Sequence, residues 1–550
     1  MRHISFVILA VSAFALYGCA DDFSPDVPFL DIDESSSSDS EKEDSAPVYT
    51  GYEDSADSSD DNIANTSFDR TITIVFSTSG NATVTGDNGY VSVSGNDVTA
   101  NNTGSEKIMY VLQGATDDGF FKLYSSKKQA IKLDGVSITN KGGAAINNQS
   151  GKRTFVVVEG NNTLKDASSY SDEISSEDMK AAFFSEGQLV FSGSGTLNVT
   201  ATGKAGITSD DYLRFMSGPT IKVNSSAGNV LRGKDAIIVS GGTIEASASA
   251  AMKKGFSSDS LVLFEGGNTT IKVTGGTAYD DEDKEYTGSA GIKADKMFVM
   301  NDGTLTISNS GQGGKGIRCN GNAYFNGGKI YASASGHEAI ESKNKIEISG
   351  GEVYAYASDD AINAAGDFTI SGGYVCGLST GNDGMDSNGN FYIKGGVVLA
   401  GGSTSPEVAL DANTEARKQL YLEGGTLIAF GPLENGASIS QALVSSSRTA
   451  NTNYALYDGT TLLCAFKTPA STIKGSGLIV SHSSMKSGSK YSLYSGVSIT
   501  GAAEKLEGLY FEGGSVSGGS KTELTASMTA SSTSGGGGGF PGGGGGGGRH

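Results

Sequence analysis

The sequence predicts an all-β protein, a parallel β-helix with about 22–25 residues per coil, and three observations carry that prediction. The 550 residues include 80 Gly, only 8 Pro and no Trp, beside abundant Ser, Thr, Asn, Val and Ile. That mixture suits short strands and tight turns better than helices. A strand ending in Gly-Gly recurs: "IIVSGGTIEA" from Ile237, "AYFNGGKIYA" from Ala323, "IEISGGEVYA" from Ile346, "FTISGGYVCG" from Phe368, "FYIKGGVVLA" from Phe391 and "LYLEGGTLIA" from Leu420. The second glycines Gly328, Gly351, Gly373 and Gly396 are 23, 22 and 23 residues apart, the period of one coil stacked on the next.

Taken in order, the chain starts with "MRH" and the apolar run "ISFVILAVSAFALYG", too short to span a bilayer comfortably, and then "LYGC" reads as a lipobox. Residues 1–18 are expected to be a lipoprotein signal peptide, with Cys19 the lipidated first residue of the mature chain and the membrane a partner through that anchor. "ADD" after Cys19 resembles the acidic export signals of lipoproteins on the surface of some Gram-negative bacteria, which implies an outer-membrane, cell-surface location. Residues 19–65 read as a solvated acidic tether, since positions 20–65 hold fifteen Asp or Glu against one Lys. Residues 66–188 are expected to form an irregular first part of the β-helix, 189–430 its regular part and 431–525 a closing β segment. The insertion "GTAYDDEDKEYTGSA" at 276–290 is expected as a loop, and 526–550 as a Gly-rich disordered tail.

Charge excludes one class of partner. The tether alone carries −14 of the chain's −21, and no basic stripe stands out that would release counterions from phosphates, so nucleic acid is not an expected partner. After Cys19, the three cysteines Cys319, Cys376 and Cys464 are odd in number and irregular in spacing, which speaks against a disulfide framework and a zinc site.

Chemistry enters through the turns. Aligned on the apolar residue of "SDDAINAAGDF" and "GNDGMDSNGNF", the coils give one core ladder of Ile207, Leu231, Ile317, Ile340, Ile362, Met385 and Leu410. Two residues before it come Glu338, Asp360 and Asp383; one after it come Glu341, Asn363, Asp386 and Asp411; three before it come His337, Asp359 and Asn382. Equivalent residues of adjacent coils lie about 4.8 Å apart. Carboxylates at that spacing repel by roughly 3.5 kcal/mol at an effective dielectric near 20. Several oxygen ligands at one corner are what a hard cation such as Ca²⁺ requires, which makes Glu338, Asp359, Asp360, Asn382, Asp383 and Asp386 candidate calcium ligands. Solvated turn acids are the alternative.

"DDAINAAGDFTISGG", "NDGMDSNGNFYIKGG", "IKLDGVSITNKGGAAI" from Ile131 and "GLIVSHSSMKSGSKYSLYSG" from Gly477 together resemble a bacterial carbohydrate-binding domain family with pectate-lyase-like parallel β-helices, which implies that the β-helix is right-handed. The resemblance runs from about Phe68 to Ser517. It implies calcium held by acidic turn residues and binding of plant-type polysaccharide, pectic or cellulosic, without established catalysis. Asp359, Asp360, Asn382, Asp383 and Asp386 match the acidic turns, whereas "GKGIRCNG" at Gly314 and "HEAIESKN" at His337 depart from them.

Sugar contacts are expected from outward aromatic faces, because a ring packs against pyranose C–H groups. Tyr331 and Tyr354 share one outward column, Tyr392 and Tyr421 another with Tyr324 further along, and Tyr356 lies beside Tyr354. Outward Tyr is also simply a good strand former. Catalysis stays open: a polysaccharide lyase would need a base beside the metal, for which Lys343, Lys345, Lys394 and Arg318 are candidates, while no residue is assigned a catalytic role. A structural adhesin is the third reading, prompted by the glycine tail.

Overall fold

Each coil is built by strands whose alternate residues are apolar, so that one side of every strand must be buried. The coil around Ile340 shows the pattern with three strands, Ile340–Ser342, Ile346–Ile348 and Glu352–Ala357. Here the three are termed the first, second and third faces. Ile340, Ile346, Ile348, Val353, Ala355 and Ala357 are all buried, and so are Phe368, Ile370 and Val375 one coil later. This computed structural model describes residues 58–529 apart from 172–173 and 282–283. The expected signal peptide, the lipidation site Cys19, the tether up to 57 and the tail from 530 lie outside the described residues.

Stacking is parallel and in register on all three faces. The core ladder runs Val98, Phe121, Ile146, Phe183, Ile207, Leu231, Phe256, Ile292, Ile317, Ile340, Ile362 and Met385, and isolated bridges carry it on to Leu410 and Leu433. The protein is thus a parallel β-solenoid of about 13 turns, with no α-helix among the described residues. Parallel pairing begins at Arg70–Phe76 with Ile108–Thr116, well before residue 189. Two coils are long: one inserts residues between Ile146 and Phe183, and the other carries the 276–290 segment. That second insertion is a small hairpin, Ala278–Asp280 against Glu285–Thr287, with the exposed Tyr279 and Tyr286 packed edge-on as its central cross-strand pair.

The Gly-Gly corners have two separate causes. At Gly350 a Cβ would sit 2.4 Å from the Asn326 carbonyl oxygen of the preceding coil, so the backbones approach too closely for a side chain. Gly351 has φ +77°, the left-handed region that only glycine occupies freely. Leu261–Val273 and Met297–Asn309 run through this position as long strands, with register shifts at Phe264–Asn268, and Gly267 and Gly303 keep the positive φ of the corner there, at +78° and +95°.

At the N-terminal end, the acidic segment differs from expectation over its last residues. Ser58–Asp61 and Ile63–Asn65 form 3-10 turns strapped across the outer solenoid surface. Asp61 is buried there, 2.8 Å from Arg153 and 3.1 Å from Arg214, and accepts a 2.6 Å hydrogen bond from Tyr212 Oη. Its charge is satisfied by protein rather than by water, which fixes a segment that composition alone reads as solvated. At the other end, six antiparallel strands between Asn453 and Thr525 form a sheet whose Leu456, Phe466 and Leu493 pack on Cys376, Leu378, Leu399, Ile428 and Phe430. The closing segment therefore covers the outward side of the third face as well as following the last coil.

Candidate functional site

The acidic turns stack on the outer side of the first face. In each coil the backbone turns after a third-face strand such as Glu352–Ala357 and enters the next first-face strand, Ile362–Ala364. The residues two before and one after the core ladder point outward and meet. Asn363 shows this directly, donating from Nδ2 to Asp360 Oδ2 at 2.8 Å and to Asp386 Oδ2 at 3.0 Å.

This face divides into two parts with opposite electrostatics. Upstream, Lys315 reaches from the preceding coil to Glu338 at 3.1 Å and Glu341 at 2.6 Å, and Lys343 pairs with Glu341 at 2.7 Å. Burial opposes ionisation of Glu341, yet the two ammonium groups hold its carboxyl below the ordinary range. His337 Nδ1 pairs with Glu338 and, at 2.8 Å, with Asp359; these contacts push the imidazole up to about 9. The His337 hydrogen bond in turn lowers Asp359, and Asn382 Nδ2 donates to Asp359 Oδ1 at 2.9 Å. The ligand atoms of His337, Glu338 and Asp359 lie within 4.8 Å of one another, close enough to share an ion. Protein cations already compensate them. Sequence alignment of the acidic coils missed Lys315, because it lies one coil earlier, where the acidic phrase has not begun.

Downstream no such compensation reaches the acids among the described residues. Asp360 and Asp383 are buried, and Asp386 and Asp411 half-buried. Their hydrogen bonds come from neutral groups: the Asp383 amide donates to Asp360 Oδ1 at 3.0 Å, and the Val408 amide to Asp383 Oδ1 at 2.5 Å. Burial pushes Asp360 up to about 8, with Asp386 repelling it further. Burial likewise raises Asp383 to about 7 against the Val408 bond, and Asp386 to about 6. Asp411 is raised by burial and by its hydrogen bond with Glu434. Glu434 extends the column because Leu433 bridges Leu410. A sequence reading that closed the regular coils at residue 430 could not include it.

Of the six candidate calcium ligands, Glu338 and Asp359 thus belong to the compensated part and Asp360, Asp383 and Asp386 to the uncompensated one, with Asn382 bonded to the former. The downstream carboxylates face no competing ammonium, which suits a hard divalent cation, but among the described residues the groups whose ligand atoms lie within 4.8 Å of one another are His337, Glu338 and Asp359 and, further upstream, Asp178, Glu186 and Asp210, so the downstream acids would have to draw together to share an ion.

The tyrosines are not on this face. Tyr331 and Tyr354 stack at 5.0 Å and 3° on the third face, and Tyr392 and Tyr421 at 4.9 Å and 10° on the second. Tyr354 and Tyr356 pack against the apolar cluster beneath the C-terminal sheet, which limits the ring area they can offer. Tyr392 and Tyr421 are half-exposed, with Lys394 Nζ 5.3 Å above Tyr392. Tyr324 is buried beneath Lys345. Further along the third face a polar groove is lined by Thr200, Asn224, Ser226, Ser249, Lys272 and Thr274.

Fold and surface together define a class: a long β-solenoid with an acidic turn ladder and stacked surface tyrosines. The model of carbohydrate-binding domain-containing proteins matches residues 94–251, 249–339 and 333–465, and the chain belongs to that family. Among solved structures, the polysaccharide lyase-like protein from C. thermocellum, as a gadolinium derivative, is 24% identical with a TM-score of 0.38, covering 48% of this chain and 97% of that one. No curated protein matches.

Proposed function

We propose that this protein is a cell-surface lipoprotein that binds polysaccharide through a calcium-stabilised solenoid, without catalysing its cleavage. Membership of a carbohydrate-binding family supports the glycan partner. The observation that carries the calcium part is the set Asp360, Asp383 and Asp386, held on successive coils with Asn363 bridging Asp360 to Asp386, buried or half-buried and facing no cation among the described residues. Such a set is stable only if protonated or metal-bound, and a divalent cation would relieve its repulsion. Asp360, Asp383 and Asp386, with Asp411 beside them, would hold it. Plant-type polymers, pectic or cellulosic, are the proposed ligands, with Tyr392 and Tyr421 as the most accessible stacking pair.

The non-catalytic reading is supported by the engagement of three of the four candidate bases; the fourth, Arg318, donates to the neutral Asn320 at 3.2 Å. Lys343 pairs with Glu341, Lys345 with Glu347 at 2.7 Å, and Lys394 lies over Tyr392. Incubation with polygalacturonate and Ca²⁺ tests this: no unsaturated product should absorb, and its appearance would establish a lyase. A glycan array with and without chelator tests binding. Retention of plant polysaccharides that weakens in chelator supports the reading, and an array with no glycan retained overturns it. The anchor is tested by Cys19→Ser, which should release the protein from membranes.

A further inference from the structure

On the second face, one column of side chains is buried although it points away from the core. In register, one residue per coil, it reads Val190, Arg214, Ile238, Leu263, Val299 and Tyr324, each between two core residues of its own strand. Ile238, Leu263 and Val299 are only 1%, 0% and 1% exposed. A strand side chain stands upright from its sheet, so the neighbouring coils shield its flanks and leave its outer end bare. The same column supplies the contrast. Past Tyr324 it continues as Glu347, Thr369, Tyr392 and Tyr421, stacked in the same way, and all four are half-exposed. The burial of Ile238, Leu263 and Val299 thus calls for a layer laid over them.

The described end of the N-terminal segment supplies the first part of such a layer. Ile63 and Phe68 pack against the outward apolar strip, Phe68 edge-on to Phe155 with ring centroids 6.4 Å apart. Asp61 is pinned to Arg214, and Asp60 to Lys128 at 2.8 Å and to Arg153 at 3.2 Å. These contacts lie on the coil of Arg214 and on earlier ones. Ile238, Leu263 and Val299 belong to the next three.

The chain that leads into Ser58 has the matching character. Residues 46–57 read "APVYTGYEDSAD", with Val48, Tyr49 and Tyr52 as large side chains able to cover an apolar strip, whereas residues 33–45, "DESSSSDSEKEDS", contain none. Length agrees as well. From Arg214 to Tyr324 is a rise of about 19 Å at the coil spacing. The stretch from Val48 to Ser58 reaches at most about 35 Å when extended, so it can run the whole strip.

We propose that residues 46–57 dock along the second face, with Val48, Tyr49 and Tyr52 seated over Ile238, Leu263 and Val299. The strap seen at Ser58–Asn65 is then the end of a longer one, and only the acidic residues before 46 remain to act as a solvated tether. Docked there, the segment fills the column as far as the coil of Tyr324 and leaves Tyr392 and Tyr421, further along the same column, open. The proposal does not depend on which ligand the solenoid binds.

The test is digestion of the full-length protein with a glutamate-specific endopeptidase, because Glu43 lies outside the docked segment and Glu53 within it. In the wild type, cleavage after Glu53 should be at least about tenfold slower than after Glu43, since the protease reaches it only when the segment lifts off. In the triple variant Val48→Ser, Tyr49→Ser and Tyr52→Ser the two rates should converge, and a hydrophobic dye should bind more strongly as the strip is uncovered. These three positions lie outside the coils, so the solenoid itself is untouched. Leu263→Lys, made on the strip instead, should speed cleavage after Glu53 in the same way. Equal cleavage at the two sites in the wild type overturns the proposal, and so does dye binding by the wild type as strong as that of the triple variant. A wild-type dimer that Leu263→Lys dissociates and the triple variant leaves intact would overturn it too, by giving the strip to a second copy of the chain.

Discussion

Asp383 carries the clearest consequence at the scale of a single residue. It is buried, accepts one backbone hydrogen bond from Val408 and has its carboxyl raised to about 7. Asp383→Asn keeps that acceptor and removes the charge. The variant should therefore melt higher than wild type in chelator at pH 8, yet gain much less from added Ca²⁺. For the wild type, hundredfold excess of Ca²⁺ over Kd should stabilise by about 2.7 kcal/mol. The pH dependence has a definite sign. Asp360, Asp383 and Asp386, at about 8, 7 and 6, lie above the unfolded reference of about 3.9, so their contribution is fully present below that reference and is lost as pH rises through 6 to 8. Thermal melts in chelator should fall across that window, and Ca²⁺ should flatten the fall. Lys315 acts in the opposite sense: Lys315→Met leaves Glu338 and Glu341 buried with less compensation and should cost about 3 kcal/mol, read by denaturant unfolding.

At the scale of the element, the Gly-Gly corner is the unit that sets the repeat. Gly373 has φ +77°, so Gly373→Ala should destabilise by about 1–2 kcal/mol even though the added methyl is small. Chemical denaturation of the variant checks this; an unchanged midpoint would mean the corner relaxes freely. The corners and the apolar ladder were legible in the sequence because both recur at the coil period, and Ile340, Ile362 and Met385 pair in the register that the spacing implied. What recurs in space but not in sequence was illegible. Lys315 compensates acids of the next coil, and Asp61 reaches Arg214 across 153 residues. The aromatic columns were legible as columns, since Tyr331 does stack on Tyr354, but not the covering of Tyr354 and Tyr356 by a sheet formed far downstream.

For the whole molecule, each coil supplies half of its neighbour's core, so the solenoid should unfold as a cooperative unit. Its outer surfaces are unequal. The third face is covered at one end by the C-terminal sheet, while on the first face the outward column passes from Arg318 to Glu341 and on to the acidic turns. Deleting the chain from residue 440 onward should expose Leu399, Ile428 and Phe430 and make the remainder bind hydrophobic dyes and aggregate. The acidic stretch of the first face is the feature on which the functional account depends. Isothermal titration of Ca²⁺ into the chelator-stripped full-length protein near pH 7 tests it most directly. The account predicts saturable binding with proton release, because the ion displaces protons from raised carboxyls, and loss of most of that signal in Asp383→Asn. A flat titration, with the same melting temperature in calcium and in chelator, would contradict it.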